Sequence, residues 1–313
     1  MAPSNQDPGE KHHSLLAQAA VAANSFKTIA PGARSTGFRT AALSYRALED
    51  GSTNRIGEDF LLNSRLHRAS RESETSIASY FSDSAVVMLS MQGKQEFDQA
   101  APVALPRGVP LSMSFDKTLA RRRSKRLYTG DPLPFEYLAT LLRSAGGVSG
   151  HARIKLKEGG ECQYNFRTVP SAGGLYPVDI YLAALNVVSL ERRVYRYSST
   201  CDGLLPLEHQ ADLSDVLAAF CAPETSISIS RAQVIFFLVG QPWKTMRKYG
   251  NRGMRFLFLE AGAIAQTINL TIAALGLGSV DCASVYEDEI HEAFGVDGLF
   301  RSLLHTLIVG YPS

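Results

Sequence analysis

The segment that most constrains this chain is the run from Met254 to Leu275, which reads as one long helix. At helical spacing Leu257, Ala261, Ile264, Ala265, Ile268 and Ile272 form an inner face, and Gly276-Leu277-Gly278 stops the helix. Phe256, Phe258 and Leu259 add apolar surface beside that face. One packing partner does not easily cover so much, so the helix has to be enclosed by other layers. With 45% apolar and 20% charged residues in 313, the chain has material for such a core.

The surrounding segments supply the layers. Ser114 is the expected N-cap of a helix through Leu119 and Arg122. Pro132 and Pro134 open a second helix, with Leu138, Leu141, Leu142 and Ala145 on its apolar side and Gly146-Gly147 as its end. Val178 to Val188 reads as a buried strand, and Val194 to Leu207 as a hairpin turning at Cys201-Asp202-Gly203. Gln233 to Val239 is a short, almost wholly apolar strand. A helix from Glu287 to Phe294 and a strand from Ser302 to Gly310 follow. Helices and strands mixed around one long helix predict an α+β sandwich.

Residues 1 to 105 differ from the rest. They hold polar stretches such as Arg71-Glu72-Ser73-Glu74-Thr75-Ser76, and Pro102, Pro106 and Pro110 then punctuate a linker into the rest. The expected division is a variable N-terminal region with linker over 1–105 and a main domain over 106–313. Leu15 to Ala23 resembles a signal peptide superficially, but the acidic residues upstream favour a short helix. Thirty-two basic residues balance 30 acidic ones, which argues against an extended nucleic-acid surface. Cys162, Cys201, Cys221 and Cys282 are scattered without a CxxC pair or nearby histidines, so no metal site and a reduced, cytoplasmic protein are expected. No apolar run of the roughly 20 residues needed to span a bilayer stands out.

Four segments can carry chemistry, and each has a plainer structural reading. Arg121-Arg122-Arg123-Ser124-Lys125-Arg126 suits a phosphate, or is an exposed basic helix end. Val169-Pro170-Ser171-Ala172-Gly173-Gly174-Leu175-Tyr176-Pro177 lets a ligand approach the backbone, or is a tight turn before a strand. Met246-Arg247-Lys248-Tyr249-Gly250-Asn251-Arg252 sets two proton-transfer groups side by side, or is a solvated basic loop. The fourth is Glu260-Ala261-Gly262 on the long helix with Gly276-Leu277-Gly278 at its end, or these are helix packing and a C-cap.

In order, the chain reads RRSKRLY, PSAGGLYP, RKYGNR, LEAGAIAQTINLTIAALGLGS and a closing LIVGYP. Over about Pro106 to Ser313 this series resembles the SagB-type dehydrogenases. They are a branch of the nitroreductase-like flavoproteins that includes the azoline oxidases of thiazole/oxazole-modified microcins, streptolysin-like toxins and cyanobactins. The resemblance implies a nitroreductase-like sandwich with a central mixed or antiparallel sheet, dimeric, with FMN in the subunit interface. By resemblance Arg122, Arg123, Ser124 and Arg126 hold the phosphate and the polar edge of the ring. Pro170, Ser171, Gly173 and Gly174 pass along the isoalloxazine, and Gly276, Leu277 and Gly278 approach it from the long helix. Lys248 is the base for a carbon-bound proton, with Tyr249 in relay or orientation. Where many nitroreductases close on a basic segment, this chain ends at Gly310-Tyr311-Pro312-Ser313, which throws phosphate binding onto the arginines, with Arg301 or Arg252 as helpers.

The implied reaction removes a proton and a hydride from adjacent carbons of thiazoline or oxazoline rings in a precursor peptide. The implied partners are the cyclodehydratase subunits of a synthetase and a second copy of the chain. A nitroreductase or quinone reductase fed by NAD(P)H, and a flavin-binding scaffold subunit, are the alternatives.

Overall fold

The computed structural model describes residues 56–65, 101–155, 160–207 and 212–313. The chain divides into two compact units, Met1–His67 and Arg68–Ser313. In the first unit helix α1 (Ile56–Asn63) ends where Ser64 hydrogen-bonds through both its N–H and its hydroxyl to the Phe60 carbonyl. The short helix expected over Leu15 to Ala23 lies outside the described residues.

The second unit is built on a sheet of seven strands, β1 (Val103–Ala104), β4 (Val178–Ala184), β5 (Val194–Ser198), β6 (Gly203–Pro206), β7 (Val234–Gly240), β8 (Gly278–Cys282) and β9 (Ser302–Gly310). Their order is β1-β6-β5-β4-β7-β9-β8, and every neighbouring pair is antiparallel. A separate hairpin joins β2 (Val148–Lys155) to β3 (Glu161–Arg167). All seven residues of β7 are buried, so the central strand is covered on both faces.

Strand alternation sorts those residues into two cores. Val234, Phe236 and Leu238 pack with Leu138 and Leu142 of α3 (Phe135–Gly146) and with Leu257, Ile264 and Ile268 of α6 (Gly253–Leu275). Ile235, Phe237 and Val239 pack with Val216 of α4 (Leu213–Ala218) and with Ile290 and Phe294 of α7 (Glu287–Phe294). Each fully buried Phe or Leu contributes roughly 1.5–3 kcal/mol by leaving water. Helices on both faces of an antiparallel sheet make the expected α+β sandwich.

Several boundaries differ from the sequence reading, each for a local reason. The strand from Val178 stops at Ala184, because the N–H groups of Leu185 and Asn186 both donate to the Gln233 carbonyl and turn the chain. Ser114 precedes α2 (Phe115–Arg121), but its side chain makes no cap; its carbonyl accepts from the Thr118 amide and hydroxyl instead. Part of the proline-punctuated linker is the edge strand β1. Met246 to Tyr249 is the end of α5 (Pro242–Tyr249), with proline at its start, where a basic loop was the plainer reading. The stretch Pro242–Leu275 is apolar and long enough by composition to cross a membrane, which the sequence reading passes over; residues along the inner face of α6 are buried in the sandwich core.

At its C-terminus α6 is closed by Gly276 in the left-handed region, φ 79°, with its N–H on the Ala273 carbonyl. At about 1.5 Å per residue, its 23 residues span about 35 Å. Most of that length separates the candidate segments.

Candidate active site

At the N-terminal end of α6, the loop before β4 meets the end of α5. Gly173 has φ +60°, and a Cβ there would fall 2.5 Å from Lys248 Nζ and closer still to Tyr249 Oη. Both tips of the Lys248-Tyr249 pair therefore converge on one glycine, and only a residue without a side chain leaves them there. Lys248 is buried, with its Nζ 5.4 Å from the centroid of the Tyr249 ring; Tyr249 is half-buried and meets the Phe256 ring edge-on at 5.0 Å.

Side-chain bonds hold the glycine loop. Ser171 Oγ donates to Glu260 Oε2 in a short contact and accepts from the Tyr176 N–H at 2.9 Å. Tyr164 Oη donates to the Gly174 carbonyl at 2.7 Å, and the Arg167 N–H donates to Tyr176 Oη at 2.9 Å. The Arg167 guanidinium lies over the Tyr176 ring at 4.8 Å. Pro170, Ser171, Gly173 and Gly174 line a cleft of ≈ 730 Å³ together with Tyr164 and Arg167, a volume in the range of small-molecule and cofactor sites.

This end of the helix is electrostatically unusual. Glu260 is 3% exposed, and Oε1 has no hydrogen-bond partner among the described residues. Burial raises its pKa to about 7, against the opposing pull of Ser171, Arg167, the Val178 backbone and Lys244. Burial pushes Lys248 below the ordinary lysine value. Lys244, one helical turn earlier, is also pushed down, first by burial and then by Arg167 and Arg301, although Asp179 and Glu260 oppose this. A carboxyl titrating near neutrality beside a lysine of reduced basicity suits proton transfer.

The arginine segment lies at the other end. Arg121 ends α2, and Arg122 to Arg126 continue as an extended segment that bridges to Ser279 in β8, with the Lys125 N–H on the Ser279 carbonyl at 2.8 Å. Arg122 is half-buried; Arg123, Ser124 and Arg126 are exposed. Arg121 Nη2 is 3.6 Å from the position a Gly276 Cβ would take, and Lys125 Cβ is 2.7 Å from that of Gly278. Thus Arg122, Arg123, Ser124 and Arg126 stand beside Gly276, Leu277 and Gly278, while Pro170, Ser171, Gly173, Gly174, Lys248 and Tyr249 stand together at the far end of α6. Arg301 precedes β9 and reaches Tyr181 Oη at 3.5 Å, and Arg252 stacks on Phe256. Neither of these two contacts involves the arginine segment.

Residues 119–311 match the nitroreductase family. The chain belongs to that family. A candidate nitroreductase of Methanocaldococcus jannaschii is 31% identical over 180 residues, covering 58% of this chain and 83% of the relative. The same fold occurs in a candidate nitroreductase of Ralstonia eutropha, with TM-score 0.53 and 23% identity, covering 71% of this chain and 92% of that one. It also occurs in a chain of the E. coli microcin synthetase McbBCD complex with truncated pro-MccB17 bound, with TM-score 0.53 and 16% identity, covering 79% and 98%. The chain is thus an oxidoreductase by family.

Sequence reasoning missed Tyr164, Arg167, Asp179 and Lys244, and assigned Glu260 to packing. One signal was present: Lys244 and Lys248 are four apart, which puts both on one helical face once Pro242 is read as a helix start.

Proposed function

We propose that the protein is a homodimeric FMN-dependent dehydrogenase that oxidises azoline rings of a ribosomally made peptide to azoles. The observation that carries this is the convergence of Lys248 Nζ and Tyr249 Oη on Gly173 beside an open cleft. When bound, FMN supplies the hydride acceptor. The chain's own residues fit it in two places. Arg122, Arg123, Ser124 and Arg126 offer a phosphate charge-assisted donors, next to the close backbone of Gly276–Gly278. Pro170 to Gly174 offer the ring a cleft floored by glycine.

The two places are well separated in one copy of the chain, since Ser171 meets the helix at Glu260 and about 24 Å of helix then runs on to Gly276. A second copy supplies the missing half. The exposed Phe258 and Leu259 on the outer side of α6, at 49% and 69% exposure, support an interface along that helix. Lys248 takes the carbon-bound proton of the ring; desolvation lowers its proton affinity from the ordinary lysine value, which brings the neutral amine, the form able to accept a proton, within easier reach. Tyr249 orients or relays that proton. The fold shared with a chain of a microcin synthetase supports a peptide substrate and cyclodehydratase partners.

The name of the M. jannaschii relative favours a second reading, reduction of small nitro compounds with NAD(P)H. One experiment separates the two. Precursor peptide carrying azoline rings is incubated with the protein and its cyclodehydratase, and the products are weighed by mass spectrometry. A loss of two hydrogens per ring is expected; intact azolines together with NADPH-driven nitro reduction would overturn the dehydrogenase reading. Light scattering of the flavin-loaded protein is expected to report a dimer.

A further inference from the structure

We infer that Glu260 is a positioning residue of the reaction site: through the Ser171 hydroxyl it holds the glycine loop in the turn on which Lys248 and Tyr249 converge. This deepens the proposed function and rests on the cleft being the reaction site.

The loop has a backbone that needs holding. Within residues 173–176, Gly173 lies at φ +60°, Gly174 at +67° and Tyr176 at +44°, all in the left-handed region. Glycine tolerates this, but for a residue with a Cβ it costs roughly 1–2 kcal/mol. Inside the loop the Gly174 N–H donates to the Ser171 carbonyl at 3.0 Å and closes the turn. The strained Tyr176 donates its N–H to Ser171 Oγ at 2.9 Å. That hydroxyl has a single proton, and it goes to Glu260 Oε2. Ser171 therefore has no proton left to offer a ligand. It acts from within, tying the strained end of the loop to α6, and leaves the backbone at Gly173 and Gly174 to face the cleft.

Glu260 is the fixed end of this tie. It sits two turns into α6 and is buried. Its carboxyl is faced by Ser171 from the loop, Arg167 from β3, the Val178 backbone at the start of β4 and Lys244 from α5. Tyr164, whose hydroxyl holds the Gly174 carbonyl, feels its charge as well. The loop, β3, β4 and α5 thus meet at one carboxyl. Burying that group with Oε1 unpartnered among the described residues is costly for the fold. Such a cost is retained where it fixes a geometry the site requires. The geometry here is fine: a Cβ on Gly173 would stand 2.5 Å from Lys248 Nζ, so a small shift of the loop changes what the amine meets. Misplacing a reacting group by about 1 Å can lower a rate about 10²-fold.

Two substitutions separate reach from charge in the full-length, flavin-containing protein. Glu260→Gln keeps the length and an oxygen for Ser171 but gives up the charge. Glu260→Asp keeps the charge and falls one methylene short, and Ser171→Ala removes the bond from the other side. With azoline peptide and cyclodehydratase, Glu260→Gln is expected to keep most of its turnover. Glu260→Asp and Ser171→Ala should each lose about tenfold or more in kcat, the worth of one hydrogen bond to a carboxylate. KM should stay nearly constant, since neither side chain touches substrate, and the double variant should be no worse than the poorer single one. A second readout needs no turnover. Brief, limiting acetic anhydride treatment labels lysines, and mass spectrometry compares Lys248 with the exposed Lys117 and Lys125. Lys248 labelling should rise severalfold in Glu260→Asp and Ser171→Ala, where Gly173 no longer abuts the amine, and not in Glu260→Gln. If Glu260→Asp does not fold, Ser171→Ala against Glu260→Gln carries the comparison. An active Glu260→Asp beside a dead Glu260→Gln, losses that multiply in the double variant, or Lys248 labelling unchanged throughout would each overturn the role. Azole products without the labelling order would sink the positioning alone, and the labelling order without azole products would sink only the proposed reaction.

Discussion

The two ends of α6 carry charge in different surroundings. At the C-terminal end Arg123, Ser124 and Arg126 are exposed beside Gly276–Gly278, whereas at the N-terminal end Lys244, Lys248 and Glu260 are buried around the glycine loop. A hydrated guanidinium keeps its charge and can grip a phosphate with little desolvation of its own. A buried carboxyl or amine instead changes its proton affinity, as Glu260 and both lysines do. The difference teaches a division of labour: one end is suited to holding an anion, the other to moving a proton. Each prediction below attacks one side of that division.

The largest effect is expected from Lys248→Ala. The protein should keep its fold and flavin while azole formation falls about 10²–10⁴-fold, the usual contribution of a positioned acid–base group. Flavin absorbance and product mass are followed on the same sample; a yellow variant with normal turnover would leave the buried end without a catalytic role. Next, Arg122→Ala combined with Arg126→Ala should weaken FMN binding at least about a hundredfold, at roughly 1.5–3 kcal/mol per charge-assisted contact. Calorimetric titration of the apoprotein measures this, and unchanged affinity would move the phosphate away from that end.

Glu260→Gln probes the buried end through stability. The folded-state pKa of Glu260, about 7, lies above its ordinary 4.5. Its contribution is therefore fully present below pH 4.5 and is lost as pH rises through 7. The gap between 4.5 and about 7 corresponds to about 3 kcal/mol. Glutamine keeps an acceptor for Ser171 and does not titrate, so the variant should escape this loss. Urea denaturation at pH 5 and pH 8 reads it directly; parallel pH profiles for the two proteins would mean that Glu260 ionises freely in the fold. The smallest effect is expected from Gly173→Ala. The left-handed backbone costs roughly 1–2 kcal/mol with a Cβ, and Lys248 and Tyr249 must move aside. Turnover should therefore fall by more than the change in stability alone would produce, and an active variant of ordinary stability would show that the convergence on Gly173 is dispensable.

Much of the frame was legible along the chain, because it depends on local spacing. The inner face of α6, the limits of α7 and β9, and the hairpin at Cys201-Asp202-Gly203 follow from period and turn residues. The β2–β3 hairpin was not legible. Its residues are partly polar and unremarkable in sequence, and its place beside the site is fixed by Tyr164 and Arg167 bonding around the glycine loop. Glu260 looked like one more helix position, because nothing local records that a serine 89 residues earlier will close over it.

The sequence by itself determined the α+β class, the long enclosed helix and the types of residue available for phosphate and proton chemistry, since composition and periodicity act over a few turns. Tertiary structure alone decided which of those residues meet. It placed Lys248 and Tyr249 against Gly173, sent the arginines to the opposite end of α6, and buried Glu260 and Lys244 where burial changes what a charge does. Those outcomes depend on contacts between segments distant in the chain and on exclusion of water.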